Sequence, residues 1–177
     1  MTNRRGGSVV VVFLATLAVG CAHGPASAGG DYPCLTPGPE WEGSLWWQRV
    51  QAYPGGFGGW FRGRIEGHGK PDKMNVYFLD PKRGIKSLHA DHPTSIYNIL
   101  QGQYTILQLH SCMQALKDDP SVSKLRYFVV DKPRNRIALV VQGDSTIADS
   151  ILRIIRRSNV VPPEMVIVEM MQMGFIN

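Results

Sequence analysis

The chain has 177 residues, 44% of them hydrophobic and 19% charged, which suits one ordered domain and excludes intrinsic disorder. The formal net charge is +5; without Arg4 and Arg5, which lie in a segment that reads as removable, 17 basic side chains face 14 acidic ones, a net of +3. That balance is too mild for nucleic-acid binding, and the basic groups (Arg62 and Arg64; Lys82, Arg83 and Lys86; Arg153, Arg156 and Arg157) are scattered, as on a solvated surface.

Residues 1–20 read as an export signal. Arg4 and Arg5 form a short positive head, and Val9 to Val19 is apolar except for Thr16. This run suits the apolar region of a signal peptide but is shorter than the ~20 residues needed to cross a bilayer as a helix. Charges interrupt every later apolar run. The segment closes Leu17-Ala18-Val19-Gly20-Cys21, which resembles a bacterial lipobox. The resemblance implies lipidation of Cys21, which would then begin the mature chain and tie it to a membrane. Ala18 stands where that family prefers leucine. The rival is ordinary cleavage after Ala26-Ser27-Ala28, giving a secreted protein. Arg4-Arg5 lacks the residues that follow a twin-arginine pair. Residues 21–38 are rich in Gly, Pro, Ser and Ala and read as a flexible tether, with a single domain over 39–177.

Three cysteines are present. With Cys21 lipidated, Cys34 and Cys112 remain in an oxidising compartment and are candidates for a disulfide. The alternative is a free thiol at Cys112 buried on an apolar helix face.

Glu40 to Tyr53 has Trp41, Leu45, Trp46 and Val50 near helical spacing, and Pro54-Gly55-Gly56 ends it. Phe57 to Ile65 reads as a Gly-dotted aromatic strand and Met74 to Leu79 as its hairpin partner. Asp80 to Ser95 holds Pro81, Gly84 and Pro93 and reads as a loop, with at most one helical turn near Ile85 to Leu88. Ile96 to Gln101 is a strand. Tyr104 to Lys117 is a helix with Ile106, Leu109, Met113 and Leu116 on one stripe. Leu125 to Val130 and Arg136 to Val141 are strands joined by the turn Asp131-Lys132-Pro133-Arg134-Asn135. A helix from about Asp144 to Arg157 carries the stripe Ile147, Ile151, Ile154 and Ile155, and Met165 to Met170 is the last strand.

This order predicts an α+β fold, an antiparallel sheet with two helices packed on it, preceded by a short helix and a β-hairpin. Two descriptions fit. From Ile96 the order is that of a ferredoxin-like βαββαβ sandwich. Alternatively, a ββαβ unit is duplicated, Trp60 to Gln101 and Leu125 to Met170, bridged by the helix at Tyr104.

Leu125 to Asp131, Asn135 to Val141, the helix after them, and Val161-Pro162 with Met165 to Glu169 together resemble the pro-region domain of bacterial chymotrypsin-like proteases of the α-lytic type. Pro54 to Gly59, Asn75 to Asp80 and Gln103 to Leu109 are similar to the parts that precede it, so the resemblance covers about Pro54 to Met170. It implies a protein-binding role, as a folding chaperone or inhibitor of an exocellular protease that offers a sheet edge and a C-terminal tail. The departures are the lipobox-like signal before the fold and no protease domain after Asn177 in this sequence. A fold can be kept without its role.

Little in the chain suggests catalysis. His89-Ala90-Asp91-His92 is the one cluster of metal-type ligands, with His68 and Asp80 near it in sequence. His89 and His92 could share a metal on a helical turn, but Pro93 and the lack of a third spaced ligand favour a solvated loop. His110 and Cys112 lie about 200° apart around a helix and cannot act as a pair. No nucleophile elbow, phosphate loop or zincin helix occurs. Gly55 to Gly59 reads as a backbone bend, and the four tryptophans read as core before they read as a sugar platform. Met173, Gly174, Phe175 and Ile176 close the chain. They either fold back on the domain or serve as a tail for a partner's sheet edge. The sequence therefore points to an exported, lipid-anchored, non-catalytic protein-interaction domain without a cofactor. The alternatives are a free-standing protease chaperone or inhibitor, and a metal-binding or hydrolytic protein using His89 and His92.

Overall fold

The computed structural model of the chain describes residues 31–53, 55–89, 96–122, 127–142 and 145–171. Its elements are α1 (Leu45–Ala52), β1 (Phe57–Arg62), β2 (Met74–Phe78), α2 (Pro81–His89), β3 (Tyr97–Gln101), α3 (Ile106–Asp118), β4 (Tyr127–Asp131), β5 (Arg136–Gln142), α4 (Ser145–Ser158) and β6 (Val166–Met171). The fold is α+β with helices packed on sheets.

The single antiparallel sheet is replaced by two mixed sheets of three strands, β1-β2-β3 and β4-β5-β6. In each, the first two strands form an antiparallel hairpin and the third runs parallel to the second. The ferredoxin-like description therefore does not hold, and the duplicated ββαβ description matches, with α3 between the units. The reason lies in α2, where the sequence suggested a loop. A parallel pair needs a crossover connection, and α2 supplies it between β2 and β3 as α4 does between β5 and β6.

α2 has an apolar side, with Gly84, Ile85 and Leu88 at helical spacing, and local chemistry fixes where it starts. Asp80 accepts at Oδ1 from the backbone N–H groups of Lys82 (3.1 Å) and Arg83 (3.2 Å), and Pro81 occupies the first helical position, where its missing N–H costs nothing. The helix rests on β2 through a glycine: a Cβ at Gly84 would lie 2.2 Å from Cγ of Phe78. α2 is thus held by this close approach together with Leu88, which is buried in the cluster around Phe78.

Two further boundaries differ from expectation. The helix expected over Glu40 to Tyr53 is a short 3-10 turn at Pro39–Trp41 followed by α1, because Ser44 adopts an extended backbone and its hydroxyl accepts from Trp47 N–H (3.1 Å), starting a new helix. The expected tether ends earlier than Gly38. Residues 33–35 form another 3-10 turn, Cys34 is buried, and Tyr32 and Leu35 pack on the core. α3 opens with a full capping box between Thr105 and Gln108.

Two hydrophobic clusters result. The larger joins α3, α4 and one face of β4-β5-β6 through Leu109, Cys112, Leu116, Phe128, Ile137, Leu139, Ile151, Ile155 and Met165. The smaller joins Phe57, Val76, Phe78, Leu88 and Ile106, with Trp46, Val50 and Tyr53 of and beside α1 packed against it. α3 serves both, through Ile106 on one side and Leu109, Cys112 and Leu116 on the other.

Candidate functional site

The polar side chains converge at the joint between the two units. All four residues of the turn between β4 and β5 reach the first unit or the segment beside it. Lys132 places Nζ 5.6 Å from the ring centre of Trp46 and 5.8 Å from that of Trp60. The carbonyl of Pro133 accepts from the Tyr77 hydroxyl (2.7 Å). Arg134 pairs with Glu66, in the loop between β1 and β2, at 3.1 Å. Asn135 is 1% exposed with φ of +54°, a left-handed conformation that asparagine tolerates better than most residues.

Asn135 satisfies four backbone groups. Its Oδ1 accepts from the N–H groups of Gln103 (2.9 Å) and Tyr104 (3.0 Å), and its Nδ2 donates to the carbonyls of Gly58 (3.0 Å) and Tyr104 (2.9 Å). Gly58 makes room, since a Cβ there would sit 2.9 Å from the Tyr104 carbonyl and 3.1 Å from Nδ2 of Asn135. Arg136 lies 5.4 Å from the ring centre of Tyr104 and donates to Gln103. Burial, with the carboxylate of Glu164 beside it, pushes the Tyr104 hydroxyl up to about 12, so this phenol stays protonated and structural.

Arg134 also pairs with Asp131 and Glu169. The carboxylates of Glu66, Asp131 and Glu169 lie within 4.8 Å of one another. The guanidinium that pairs with all three makes this an ion-pair lock from the first unit's hairpin loop to β4 and β6.

A second cluster is aromatic. The His110 ring stacks on Trp46 at 4.7 Å between centres, with Trp41 at 6.5 Å. Nε2 of His110 is buried without a hydrogen-bond partner among the described residues. Burial, with Lys132 and Lys117 nearby, pushes its pKa down to about 4, so the ring is neutral near neutral pH and packs as an aromatic.

Cys34 and Cys112 are joined in a disulfide that spans 78 residues of chain and fixes the N-terminal turns to α3. Cys21 and the tail residues Met173, Gly174, Phe175 and Ile176 lie outside the described residues, as does His92. His89 is the last residue of α2, and His68 pairs through its backbone with Ile65 in the hairpin loop.

The second sheet has a face turned away from its core. Tyr127, Val140 and Glu169 form one row across it and Val129, Ala138 and Ile167 the next; Ala138 is 1% exposed and Glu169 is taken up by Arg134. Neither hydrophobic cluster includes any of the six among the described residues. Tyr127 is 59% exposed, and Val129, Val140 and Ile167 are half-buried. β4 and β6 each pair on one side only among the described residues.

No protein-family model matches the chain, and no curated protein matches it. The reading of function therefore rests on geometry.

What sequence reasoning missed is the joint. The turn 131–135 was legible as a turn, but nothing in it signals that Lys132, Pro133, Arg134 and Asn135 all face inward. The one usable signal was a non-glycine residue, Asn135, where a tight turn needs left-handed backbone.

Proposed function

We propose that the protein is an exported, lipid-anchored envelope protein that acts without catalysis, binding an extended segment of a partner protein on its second sheet. The observation that carries this reading is the outer face of β4-β5-β6, where Tyr127, Val129, Val140 and Ile167 stand outside both cores beside an unpaired edge strand. An open edge offers main-chain hydrogen bonds to an added strand, and alternate apolar side chains along it give specificity. Export is supported by the Cys34–Cys112 disulfide, which persists in oxidising compartments. No helix among the described residues is long and apolar enough to cross a membrane, so the anchor in this reading is the lipid on Cys21.

A second reading makes the partner an exocellular protease, with the domain as its chaperone or inhibitor. What favours it is that the stretch resembling protease pro-regions folds as strand, turn, strand, helix and strand.

Photo-crosslinking in the native envelope tests the binding reading. A crosslinking residue at Tyr127 is expected to capture one discrete partner, and the same residue at Arg157, exposed near the end of α4, is not. Val129→Pro should abolish capture while the chain stays folded. Equal capture from both positions would discard the sheet as the binding surface. Membrane fractionation of Cys21→Ser tests the anchor, with release into the soluble fraction expected and unchanged retention overturning it.

A further inference from the structure

The helix α1 is attached to the fold by packing alone. None of its eight residues is buried, and among the described residues no hydrogen bond or ion pair ties it to another element. It meets the aromatic core of the first unit through Trp46 and Val50, and Tyr53, at its end, lies 5.4 Å from Phe57 and 6.5 Å from Phe78 between ring centres. Glycines bound it on both sides. Gly43 and Gly55 have φ of +77° and +108°, and Gly43 has open space around it. An element held by loose packing between such residues is where a fold opens locally.

Outside that core α1 meets His110 of α3. The His110 and Trp46 rings stack at 4.7 Å with 17° between their planes. Nε2 of His110 is buried and has no hydrogen-bond partner among the described residues. An imidazolium carries an N–H at both nitrogens, so here one of them would be buried without an acceptor, which is costly for a charged group. The surroundings add to that cost. The 3-10 turn and α1 bring the uncharged rings of Trp41 and Trp46, the turn before β5 brings Lys132, and α3 itself brings Lys117. Lys132 Nζ sits 5.6 Å from the centre of the Trp46 ring, so a protonated His110 would share that indole with a second cation.

We propose that His110 makes α1 an acid-released latch. Protonation of the imidazole breaks its stack on Trp46, and α1 swings away about Gly43 and Gly55, uncovering Phe57 and Phe78. The proton balance gives the direction. With α1 closed, burial and the two lysines keep the ring neutral down to about pH 4; with α1 open it takes a proton near its ordinary value of 6.5. The closed form is therefore favoured most above pH 6.5 and loses its advantage as the pH falls towards 4. The latch is separate from the outer face of the second sheet and stands whether or not a partner binds there.

Hydrogen exchange of the full chain with its disulfide formed tests this, with rates corrected for the pH dependence of the chemical step. The amides of α1 should exchange through local opening, with lower protection than those of α4. Between pH 7 and pH 4.5 the opening of α1 is expected to rise at least about tenfold. His110→Phe keeps a flat ring on Trp46 and takes no proton, so it should abolish the rise; His110→Gln serves the same purpose if the larger ring is not tolerated. Lys132→Met removes the competing cation and should make the rise smaller. Opening of α1 that is the same at both pH values would overturn the proposal, as would α1 amides that exchange only with the whole fold, or a rise that persists without the imidazole.

Discussion

The two ββαβ units share a topology and differ in nearly everything that fills it. The second unit is built on aliphatic packing: Ile151 and Ile155 of α4 share one cluster with Ile137 and Leu139 of β5 and with Val161 and Met165. The first is built on rings and special backbone. Phe57, Phe78 and Tyr53 pack with centres 5.4 to 6.5 Å apart, α2 seats Gly84 on Phe78, and β1 bulges between Phe57 and Gly59. Each unit also buries an asparagine near its hairpin, with different consequences. Asn75 works locally, accepting from Lys70 N–H and Asn98 and donating to Gly63, so it shapes its own loop. Asn135 works across the joint. One topology can thus be held by a regular amphipathic pattern or by a few exact contacts, and only the first is visible as a pattern.

The contrast predicts where damage stays local and where it spreads. The largest effect is expected from Ile151→Asp in the second unit. Ile151 is 4% exposed, and an unpaired buried carboxylate costs several kcal/mol, comparable with a whole domain's stability of about 5–15 kcal/mol. The variant should fail to unfold cooperatively in urea; a soluble protein with an unchanged melting temperature would place that face outside the core.

Asn135→Ala should come next. It strands three buried backbone groups and one partly buried one, and puts alanine where φ is +54°, for a loss of about 2–4 kcal/mol. The informative readout is hydrogen exchange. Protection should fall on both sides of the joint, in β1 and the start of α3 as well as in β4 and β5. Loss confined to the second unit would show that the joint does not couple them.

Gly84→Ala should cost less, about 1–3 kcal/mol from overpacking against Phe78. Its damage should remain in α2 and its neighbours β2 and β3, leaving exchange in α4 and β6 unchanged.

The smallest effect is a pH dependence. His110 titrates near 4 in the fold, below the ordinary value of 6.5. Between those values the unfolded chain binds a proton that the folded chain refuses. Stability from this group is therefore full above about pH 6.5, falls as the pH drops towards 4, and levels off below. Partial exposure of the ring limits the loss to about 1–2 kcal/mol. Urea unfolding at pH 7 and pH 4.5 should show the difference in the wild type and lose most of it in His110→Gln.

Much of this molecule was legible in its sequence, for identifiable reasons. The helices α3 and α4 and all six strands were placed by apolar or aromatic runs bounded by turn residues, while the order of the elements left both the ferredoxin-like and the duplicated description open. The stripe Ile147, Ile151, Ile154 and Ile155 is a property of a single helix, so local spacing suffices to find it. Cys34 and Cys112 were identifiable as candidates, but spacing could not choose between a bridge and a buried thiol. That choice needs their Cα atoms brought to 4.8 Å.

The tertiary structure decided the rest, because the rest depends on residues far apart in the chain. Whether β3 joins the strands before it or those after it depends on α2, whose seat on Phe78 is made by a glycine. Whether the turn 132–135 faces solvent or the other unit depends on Trp46, Trp60, Glu66, Tyr77 and Tyr104, up to 86 residues away in sequence. Local propensity and period are carried by neighbouring residues and can be read in order. Hydrogen-bond completion, charge pairing and close backbone approach are properties of contacts, and exist only once the chain has brought both partners together.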